Sequence, residues 1–390
     1  MLMHFMSAIG ALHAWSSVTP SLTRSSIITH GSVTTTPRTR NAVTMTATIT
    51  APTAPPLTWT ESPDNTWTFD ASSYGAPDPL TVNYIAAGPE DGAPFLLVHG
   101  FGASGFHWRR NVNVLAAAGY RVYAIDLIGF GLSSKPIIEY DARLWRDQCA
   151  AFLREVAGCG EKNNQKRAIV AGNSIGGYTA LGVGAAHPEL ICGVVSLNGA
   201  GRYSPTKEEA LALEAYDKER AERPEWKVAV DSALEALVTA LQRGAAYAGL
   251  YITKQPLRIQ QVLRQVYPIH PEAADEELVA SIQYAADDEM GLAPPNAIPE
   301  VFYRIVSRNS NGGAVPIDEL VEELKVPLLL LWGESDPWIV SKLGDKLEAC
   351  AKGLGKDVKR VSVNAGHCPQ DEEPEGVNTA LLEFARELGV

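Results

Sequence analysis

The stretch AIVAGNSIGGYTAL, residues 168–181, runs from an apolar segment through a cluster of small residues around one serine. Its first part has the short, partly β-branched character of a buried strand, and its second part has the spacing of a helix that ends before Pro188. We therefore expect Ser174 at a sharp turn between a strand and a helix. Such a turn strains its central residue and leaves no room for a Cβ two positions away, which accounts for Gly172 and Gly176.

A serine at this kind of turn has its hydroxyl exposed above the end of the sheet. The pattern G-x-S-x-G is that of a nucleophile elbow, in which the amide of the next residue, Ile175, points at an oxygen that develops negative charge. A glycine-rich turn in which Ser174 only caps the helix would have the same pattern. Further residues are needed to decide between a nucleophile and a cap.

A serine nucleophile needs a base and an acid, which follow an elbow of this type in the order serine, acid, histidine. Asp336 follows the apolar run VPLLLLWGES, and His367 follows VKRVSVNAG. Both would lie at the carboxyl ends of strands, where the sites of open α/β sheets gather. His367 would take the proton of Ser174, and Asp336 would hold the imidazole in the required tautomer.

Other polar residues compete for the role of the acid. Glu334 lies two positions before Asp336, but we expect it to remain within the end of the strand. Asn198 follows the sixth predicted strand, and its amide cannot carry the required charge. Asp371 and Glu372 come shortly after the histidine and are interpreted as solvated carboxylates at the start of a helix. Asp336 is therefore the predicted acid.

Short apolar runs alternate with longer helical patterns from residue 67 onward. Continuous rather than alternating apolarity in the strands predicts an α/β fold, with a mostly parallel sheet and helices on both faces. Residues 201–313 are rich in Ala, Glu and Leu with helical periodicity and contain no convincing strand pattern. We predict a core of residues 56–200 and 314–390, and a helical cap of residues 201–313 inserted between the sixth and seventh strands.

The N-terminal segment differs from the rest of the chain. Its first sixty residues contain no Asp or Glu and are rich in Ser and Thr, which is typical of an organellar transit peptide. We predict a transit peptide without a fold of its own over residues 1–55, which directs the protein to the chloroplast or, alternatively, to the mitochondrion. A secretory signal is disfavoured because His4 and His13 interrupt the apolar opening and no basic segment precedes it.

Composition limits the classes of partner. The chain has 390 residues and a formal net charge of −12, which argues against nucleic acid and against electrostatic binding to an anionic bilayer. No apolar stretch reaches the roughly 18 residues that span a membrane. The five cysteines occur singly, without zinc-ligand spacing, so we expect free thiols, no metal and no cofactor. They are Cys149, Cys159, Cys192, Cys350 and Cys368.

A dinucleotide site is the main rival hypothesis. Gly100, Gly102 and Gly105 have G-x-G-x-x-G spacing after a strand, and Asp126 follows about twenty residues later. Bulky aromatic residues stand directly behind the third glycine, however, strands precede the motif, and the serine elbow would remain unexplained. The alternative interpretation is a turn after the third strand whose Phe101 amide is a second oxyanion donor.

The motifs HGFG, GNSIGG, GESDPW and AGHCPQDEEPE together make the chain from about residue 79 to 390 resemble the α/β-hydrolase superfamily. These motifs, with YITKQPLRIQQVLRQVY and EVFYRIVSR in the cap, are similar to the plastid branch that contains chlorophyll dephytylase and pheophytinase. Members of that branch are serine hydrolases that release phytol from chlorophyll pigments. The resemblance implies Ser174 as the nucleophile, His367 as the base and Asp336 as the acid. It also implies the amides of Phe101 and Ile175 as oxyanion donors.

The resemblance also implies a substrate class. The ligand would be an apolar ester, a pigment, bound beside Phe101 and Trp338 under a cap that forms an apolar chamber. Peripheral contact with the thylakoid membrane is a further expectation. Gln370 departs from the pattern, because members usually have a second histidine there, and neither it nor Cys368 receives a role.

Two alternatives to an ester hydrolase stay open. The combination of HGFG with GNSxGG also resembles hydrolases that cleave carbon–carbon bonds in vinylogous diketones with the same three residues. A ligand receptor that retains the pocket and the three residues is the second alternative.

Overall fold

The structure is a computed structural model that describes residues 50–62, 64–160, 166–307 and 314–390. Residues 1–49 lie outside the described residues, so most of the segment interpreted as a transit peptide does too, and that interpretation stays a prediction.

An eight-stranded sheet forms the centre of the fold. The strands are β1 (Asn65–Phe69), β2 (Leu80–Ala87), β3 (Pro94–Val98), β4 (Arg121–Ile125), β5 (Ala168–Asn173), β6 (Ile191–Leu197), β7 (Leu328–Gly333) and β8 (Val358–Val363). Their order in the sheet is β1-β2-β4-β3-β5-β6-β7-β8. β1 pairs antiparallel with β2 and β2 with β4, whereas the remaining neighbours are parallel. The predicted α/β fold with a mostly parallel sheet is therefore confirmed.

Helices cover both faces of the sheet, which explains why the central strands are apolar throughout. Along β3, Phe95 and Leu97 pack into one apolar cluster, whereas Leu96 and Val98 pack into the cluster on the opposite face. Successive strand residues point to opposite faces, so a strand buried on both sides needs apolar residues at every position. β3, β5, β6 and β7 are buried along their whole length.

The helices of the core flank the strands that they connect. The described helices are α1 (Val112–Ala117), α2 (Ala142–Glu155), α3 (Ile175–Ala186), α4 (Lys207–Ala221), α5 (Glu225–Thr253), α6 (Pro256–Val266), α7 (Glu276–Asp287), α8 (Ile298–Val306), α9 (Ile317–Glu323), α10 (Ser341–Gly353), α11 (Pro369–Glu372) and α12 (Pro374–Glu387). α4 to α8 all fall between β6 and β7, the place predicted for the cap, although the domain boundaries themselves stay a prediction.

A separate apolar cluster joins the inserted helices to the core. Ile259 and Leu263 of α6 pack there with Leu278 of α7, and Phe106 and Cys368 contribute from the core side. This cluster positions α6 and α7 over the carboxyl ends of the strands. Among the described helices, none combines the length and apolarity that crossing a bilayer requires. All five cysteines are free thiols.

Candidate active site

Ser174 lies between the end of β5 and the start of α3, in the left-handed region with a φ of 58°. A Cβ on Gly172 would lie 2.0 Å from the carbonyl oxygen of Gly176, and a Cβ on Gly176 would lie 2.3 Å from that of Val98. Both distances are far below van der Waals contact, so only glycine fits at either position. The turn expected from the glycine spacing is present, for the steric reason that predicted it.

Asp336 and His367 meet beyond the carboxyl ends of β7 and β8. His367 Nδ1 lies 2.7 Å from Asp336 Oδ2, and both side chains are almost completely buried. Asp336 Oδ1 accepts hydrogen bonds from the amides of Trp338 and Ile339, at 2.7 and 3.0 Å. The carboxylate is therefore held in one orientation and fixes the imidazole through Nδ1, which leaves Nε2 available for a second partner.

Asn198, considered and rejected as the acid, assists Asp336 in the structure. Its Nδ2 donates to Asp336 Oδ2 at 2.7 Å, and its Oδ1 accepts from the amide of Gly333 at 2.9 Å. The residue follows β6 with a φ of 42°, a conformation that asparagine tolerates better than most side chains. Asn198 thus connects the ends of β6 and β7 and orients the carboxylate.

Glu334, the alternative acid, follows β7 and points to a different group of residues. Its Oε1 accepts from Arg360 Nη2 at 3.1 Å and from Ser362 Oγ, and its Oε2 accepts from Ser341 Oγ at 2.5 Å. These partners lie on β8 and α10, at the surface. Of the two carboxylates, Asp336 is the one that contacts His367.

The backbone of His367 is held from two directions. Its amide donates to the carbonyl oxygen of Val266, at the end of α6, at 2.9 Å. Its own carbonyl oxygen accepts from Asn173 Nδ2 at 2.8 Å, and Asn173 directly precedes Ser174. The backbone of His367 therefore connects the elbow to the end of α6 through these two hydrogen bonds. Neither Asn173 nor Val266 was predicted from the sequence to have a role.

A deep cavity lies under the inserted helices and has Ser174 and His367 in its wall. Its empty space is about 1320 Å³, a volume that includes the part open to solvent. Phe101 and Trp338, the two residues predicted to contact substrate, also line it. The Trp338 ring lies 5.1 Å from that of His367. Helices α5 to α8 contribute apolar side chains that include Leu250, Leu263, Ile282 and Val301.

The loop after β3 lies against the elbow. A Cβ on Gly100 would lie 3.3 Å from Ser174 Cβ, so the chain passes the serine closely just before Phe101. Phe101, the next residue, lines the same cavity as Ser174. The role of the Phe101 and Ile175 amides as oxyanion donors stays a prediction.

The interpretation of Asp371 as a solvated carboxylate is wrong. Its side chain is fully buried and accepts from Arg109 Nε and Nη2, at 2.9 and 3.2 Å. Burial raises the pKa of Asp371, and the Arg109 guanidinium opposes that shift. Arg109 also donates to Asp275 Oδ1 and to the carbonyl oxygen of Ala273, both at 2.9 Å. Because Ala273 and Asp275 immediately precede α7, this buried network fastens the inserted helices to the core.

The interpretation of Glu372 as solvated is also wrong. It is buried, and its Oε1 accepts from the amides of Ile269 and His270, at 2.7 and 2.9 Å. Its Oε2 accepts from the amide of Gly366 at 2.5 Å. The carboxylate thus ties the loop that carries His367 to the segment after α6.

His107 lines the cavity and has a defined tautomer. The Tyr267 hydroxyl donates to Asp371 Oδ2 at 3.1 Å, and His107 Nε2 lies 3.1 Å from the same hydroxyl oxygen. Since that hydroxyl has only one proton, His107 must donate through Nε2, and its Nδ1 is an acceptor. Burial and the neighbouring Arg109 lower the pKa of His107 to about 3.

This lowered pKa makes the stability of the protein depend on pH. Between about pH 6.5 and pH 3 an unfolded chain protonates His107 but the folded protein does not, so acid favours unfolding. We expect this residue to reduce the free energy of unfolding by roughly 2 kcal/mol between pH 7 and pH 5. Denaturant unfolding of the wild type and His107→Gln at both pH values measures the difference. The matched control is exposed His270→Gln, and an unchanged pH dependence in His107→Gln would contradict the assignment.

Gln370 and Cys368, which received no role from the sequence, differ in their surroundings. Cys368 lines the cavity, and burial raises the pKa of its thiol. Gln370 is fully buried, and among the described residues neither atom of its amide has a hydrogen-bond partner. We have no physical account of Gln370.

Asp126, the acid of the rival dinucleotide hypothesis, is already bonded within the protein. It accepts from the amides of Gly105 and Leu132 at 2.6 and 2.7 Å, and from Asn83 Nδ2 at 2.9 Å. A Cβ on Gly105 would lie 2.8 Å from the carbonyl oxygen of Ala124. The glycine and the aspartate are explained by the packing of this loop on β4.

Comparison with known proteins shows the family of the chain. A model of the alpha/beta hydrolase family matches residues 95–380. Chloroplastic pheophytinase of Arabidopsis thaliana is 26% identical over 345 residues, which cover 79% of this chain and 65% of the pheophytinase. The chain thus spans slightly less than two thirds of that relative. A 2-hydroxy-6-oxononadienedioate/2-hydroxy-6-oxononatrienedioate hydrolase of a Pseudomonas species is 24% identical over 315 residues, with 80% and 89% covered.

Solved structures agree with the fold. An esterase from Thermogutta terrifontis has a TM-score of 0.56 and 18% identity, with 84% of this chain and 100% of the esterase covered. At this identity the likeness shows the arrangement of strands and helices alone.

Proposed function

Because the chain belongs to the alpha/beta hydrolase family, we propose that it hydrolyses a carboxylic ester with Ser174 as nucleophile, His367 as base and Asp336 as acid. The observation that carries this proposal is the placement of Ser174 and His367 in the wall of one cavity, with His367 Nδ1 bonded to a buried carboxylate. In this arrangement the imidazole presents Nε2 to a hydroxyl.

The proposed reaction has two halves that pass through an acyl-enzyme. Ser174 Oγ attacks the ester carbonyl carbon while His367 Nε2 takes the hydroxyl proton, and the same nitrogen then protonates the departing alcohol oxygen. A water molecule, deprotonated by His367, subsequently releases the acid and restores Ser174. Asp336 remains ionised and stabilises the imidazolium that forms in each half.

The oxyanion formed in each half needs donors that are in place beforehand. The amide of Ile175 opens α3, so it is one of the helix amides without a partner inside the helix. The amide of Phe101 is the proposed second donor, on the loop that passes within contact distance of the elbow. Donors fixed by the backbone need no rearrangement when the charge develops.

We propose chlorophyll or a closely related pigment as the substrate, cleaved to a chlorophyllide and phytol. The support is the size and apolar lining of the cavity, which fit a long isoprenoid alcohol better than a small polar one. The similarity to pheophytinase from Arabidopsis thaliana, whose alignment covers 79% of this chain, supports the same class of substrate.

Phytol release from solubilised pigments tests this substrate. The purified protein is incubated with chlorophyll a and pheophytin a in separate reactions, and phytol is measured by chromatography. We expect phytol from at least one pigment and none with Ser174→Ala. Turnover of short-chain esters without release of phytol from either pigment would support an ester hydrolase but contradict the pigment as its substrate.

Cleavage of a carbon–carbon bond is the second candidate function. The Pseudomonas hydrolase covers four fifths of this chain and acts, by its name, on an oxo-dienoate rather than on an ordinary ester. To distinguish the two functions, the protein is incubated with a 2-hydroxy-6-oxo-dienoate, and the decrease in absorbance of this compound is measured. Turnover of this compound combined with no ester hydrolysis would replace the ester proposal.

We also propose that the protein is imported into chloroplasts through residues 1–55. The composition of this segment and the chloroplastic location in the name of the Arabidopsis relative support the proposal. A fluorescent protein fused behind residues 1–60 should accumulate in plastids. Mitochondrial, secreted or diffuse cytosolic fluorescence would contradict it.

A further inference from the structure

The helical hairpin formed by α4 and the first half of α5 extends away from the packed body. All residues of α4 are described, and none of them is buried. In α5 the buried residues are Gln242, Ala246, Gly249 and Leu250, all in the second half of the helix. Residues 207–241 are therefore joined to the rest of the molecule at the two ends of the hairpin, through the continuation of α5 and through Ser204 before α4, which bonds to Asp318 and Glu319.

The two helices of the hairpin face each other through charged side chains. Arg223, in the turn, bonds to Asp231 of α5 at 2.7 Å and pairs with Glu219 of α4 at 3.4 Å. Arg220 of α4 pairs with Glu235 of α5 at 3.5 Å. The polar side of α5 is thus turned toward α4, and the opposite side is left without a partner in the described chain.

That opposite side of α5 is apolar. Its large side chains recur at spacings of four, four, three and four residues, which places them on one face of the helix. Each of them is at least 50% exposed. We call this face the outer stripe; it consists of Trp226, Val230, Leu234, Leu237 and Leu241. A continuous exposed face of this size marks an interaction surface.

The charge of the hairpin limits what covers the outer stripe. Residues 207–241 contain nine acidic and five basic residues, a formal net charge of −4. A second copy of the hairpin would meet a surface of the same sign, and an anionic bilayer would also be repelled. An uncharged lipid surface meets neither penalty. Trp226, at the tip of the hairpin, is the residue type that favours the boundary between lipid and water.

We propose that the outer stripe binds the surface of a bilayer of uncharged lipids, with α5 lying in the plane of the interface. Amphipathic helices bind in this way when their apolar face enters the region between headgroups and acyl chains. The choice of lipid rests in part on the proposed function, since a phytyl ester is a lipid-soluble substrate. Leu250 and Thr253, farther along α5, line the cavity, so the helix that docks also forms part of the cavity wall.

Vesicle flotation tests the proposal with the full chain. Wild-type protein is mixed with phosphatidylcholine vesicles and centrifuged through a density gradient, and the fraction that rises with the vesicles is measured. We expect binding by the wild type and a loss of at least roughly tenfold in affinity for the double variant Leu234→Gln/Leu241→Gln. Replacing part of the lipid by anionic phosphatidylglycerol should weaken wild-type binding.

A matched control replaces two exposed apolar residues on the surface of the α/β domain, outside the hairpin. The double variant Leu354→Gln/Val390→Gln should float like the wild type. None of the four substituted residues lines the cavity, so both double variants should hydrolyse a soluble short-chain ester at the wild-type rate. Flotation measures binding to vesicles and involves no catalysis. The flotation result can therefore be interpreted even if neither pigment is hydrolysed.

Three outcomes would overturn the proposal. The first is wild-type protein that stays unbound with phosphatidylcholine vesicles, and the second is equal flotation of wild type and Leu234→Gln/Leu241→Gln. The third is a wild-type dimer in sedimentation that this variant converts to a monomer while neither protein floats. That last result would identify the outer stripe as a contact between two copies.

Discussion

Replacing Ser174 with alanine is expected to reduce ester hydrolysis by at least about 10³-fold, while the protein remains folded. Alanine keeps the Cβ of the elbow and removes only Oγ, the atom that forms the acyl-enzyme. His367→Ala should cause a loss of similar size, and the double variant should be little worse than either single one, because residues that act as a unit are not additive. The rate with a soluble ester, under saturating substrate, measures the effect.

A covalent probe tests the same assignment without a substrate. A fluorophosphonate should label the wild type at Ser174 and should not label Ser174→Ala. Ser335→Ala, a change at an exposed serine beside the acid, serves as the matched control and should retain both labelling and activity. Persistent labelling of Ser174→Ala, or activity within tenfold of the wild type, would show that another group is the nucleophile.

The elbow could be predicted from sequence because its cause is local. Gly172 and Gly176 are required by contacts with backbone atoms, and the contact of Gly172 with Gly176 lies within the turn itself. The alternation of apolar runs and helical patterns likewise predicted the parallel sheet, since both faces of a central strand must be apolar. Asp336 and His367 were found because each follows a recognisable strand.

The partners of the buried carboxylates could not be predicted in this way. Asp371 and Glu372 follow a proline at the start of a short helix, where solvated carboxylates are common, and nothing local separates that case from a buried one. Asp371 is buried because Arg109, 262 residues earlier, comes to it in the folded chain. The roles of Asn173, which holds the backbone of His367, and of Asn198, which orients Asp336, were not predicted, because an amide that positions another residue has no distinctive spacing.

The direction of the hairpin was equally hidden from the sequence. The Ala-, Glu- and Leu-rich pattern of residues 201–313 predicted helices, and the structure has α4 to α8 there. An apolar stripe normally predicts the buried face of a helix. In the first half of α5 the stripe is exposed instead, because the charged side pairs with α4, and only the folded arrangement distinguishes these cases.

Replacing Asp336 with asparagine is expected to reduce ester hydrolysis by roughly 10³- to 10⁴-fold. All four hydrogen-bond partners of the carboxylate are donors: two backbone amides at Oδ1, and His367 Nδ1 and Asn198 Nδ2 at Oδ2. The side-chain amide of the asparagine would place its NH₂ group, a donor, against one of these two pairs of donors. Because the backbone amides cannot move away, the NH₂ would take the Oδ2 position and favour the tautomer of His367 that carries its proton on Nε2. That tautomer cannot accept a proton from Ser174.

The matched control is Glu334→Gln, which makes the same change two residues earlier. Glu334 bonds to Arg360, Ser341 and Ser362 at the surface, so this variant should retain the rate of the wild type within about twofold while losing some stability. Measuring both variants with one soluble ester compares the two carboxylates directly. If Glu334→Gln were the inactive variant and Asp336→Asn the active one, Glu334 would be the acid, and the bond between Asp336 and His367 would have no part in catalysis.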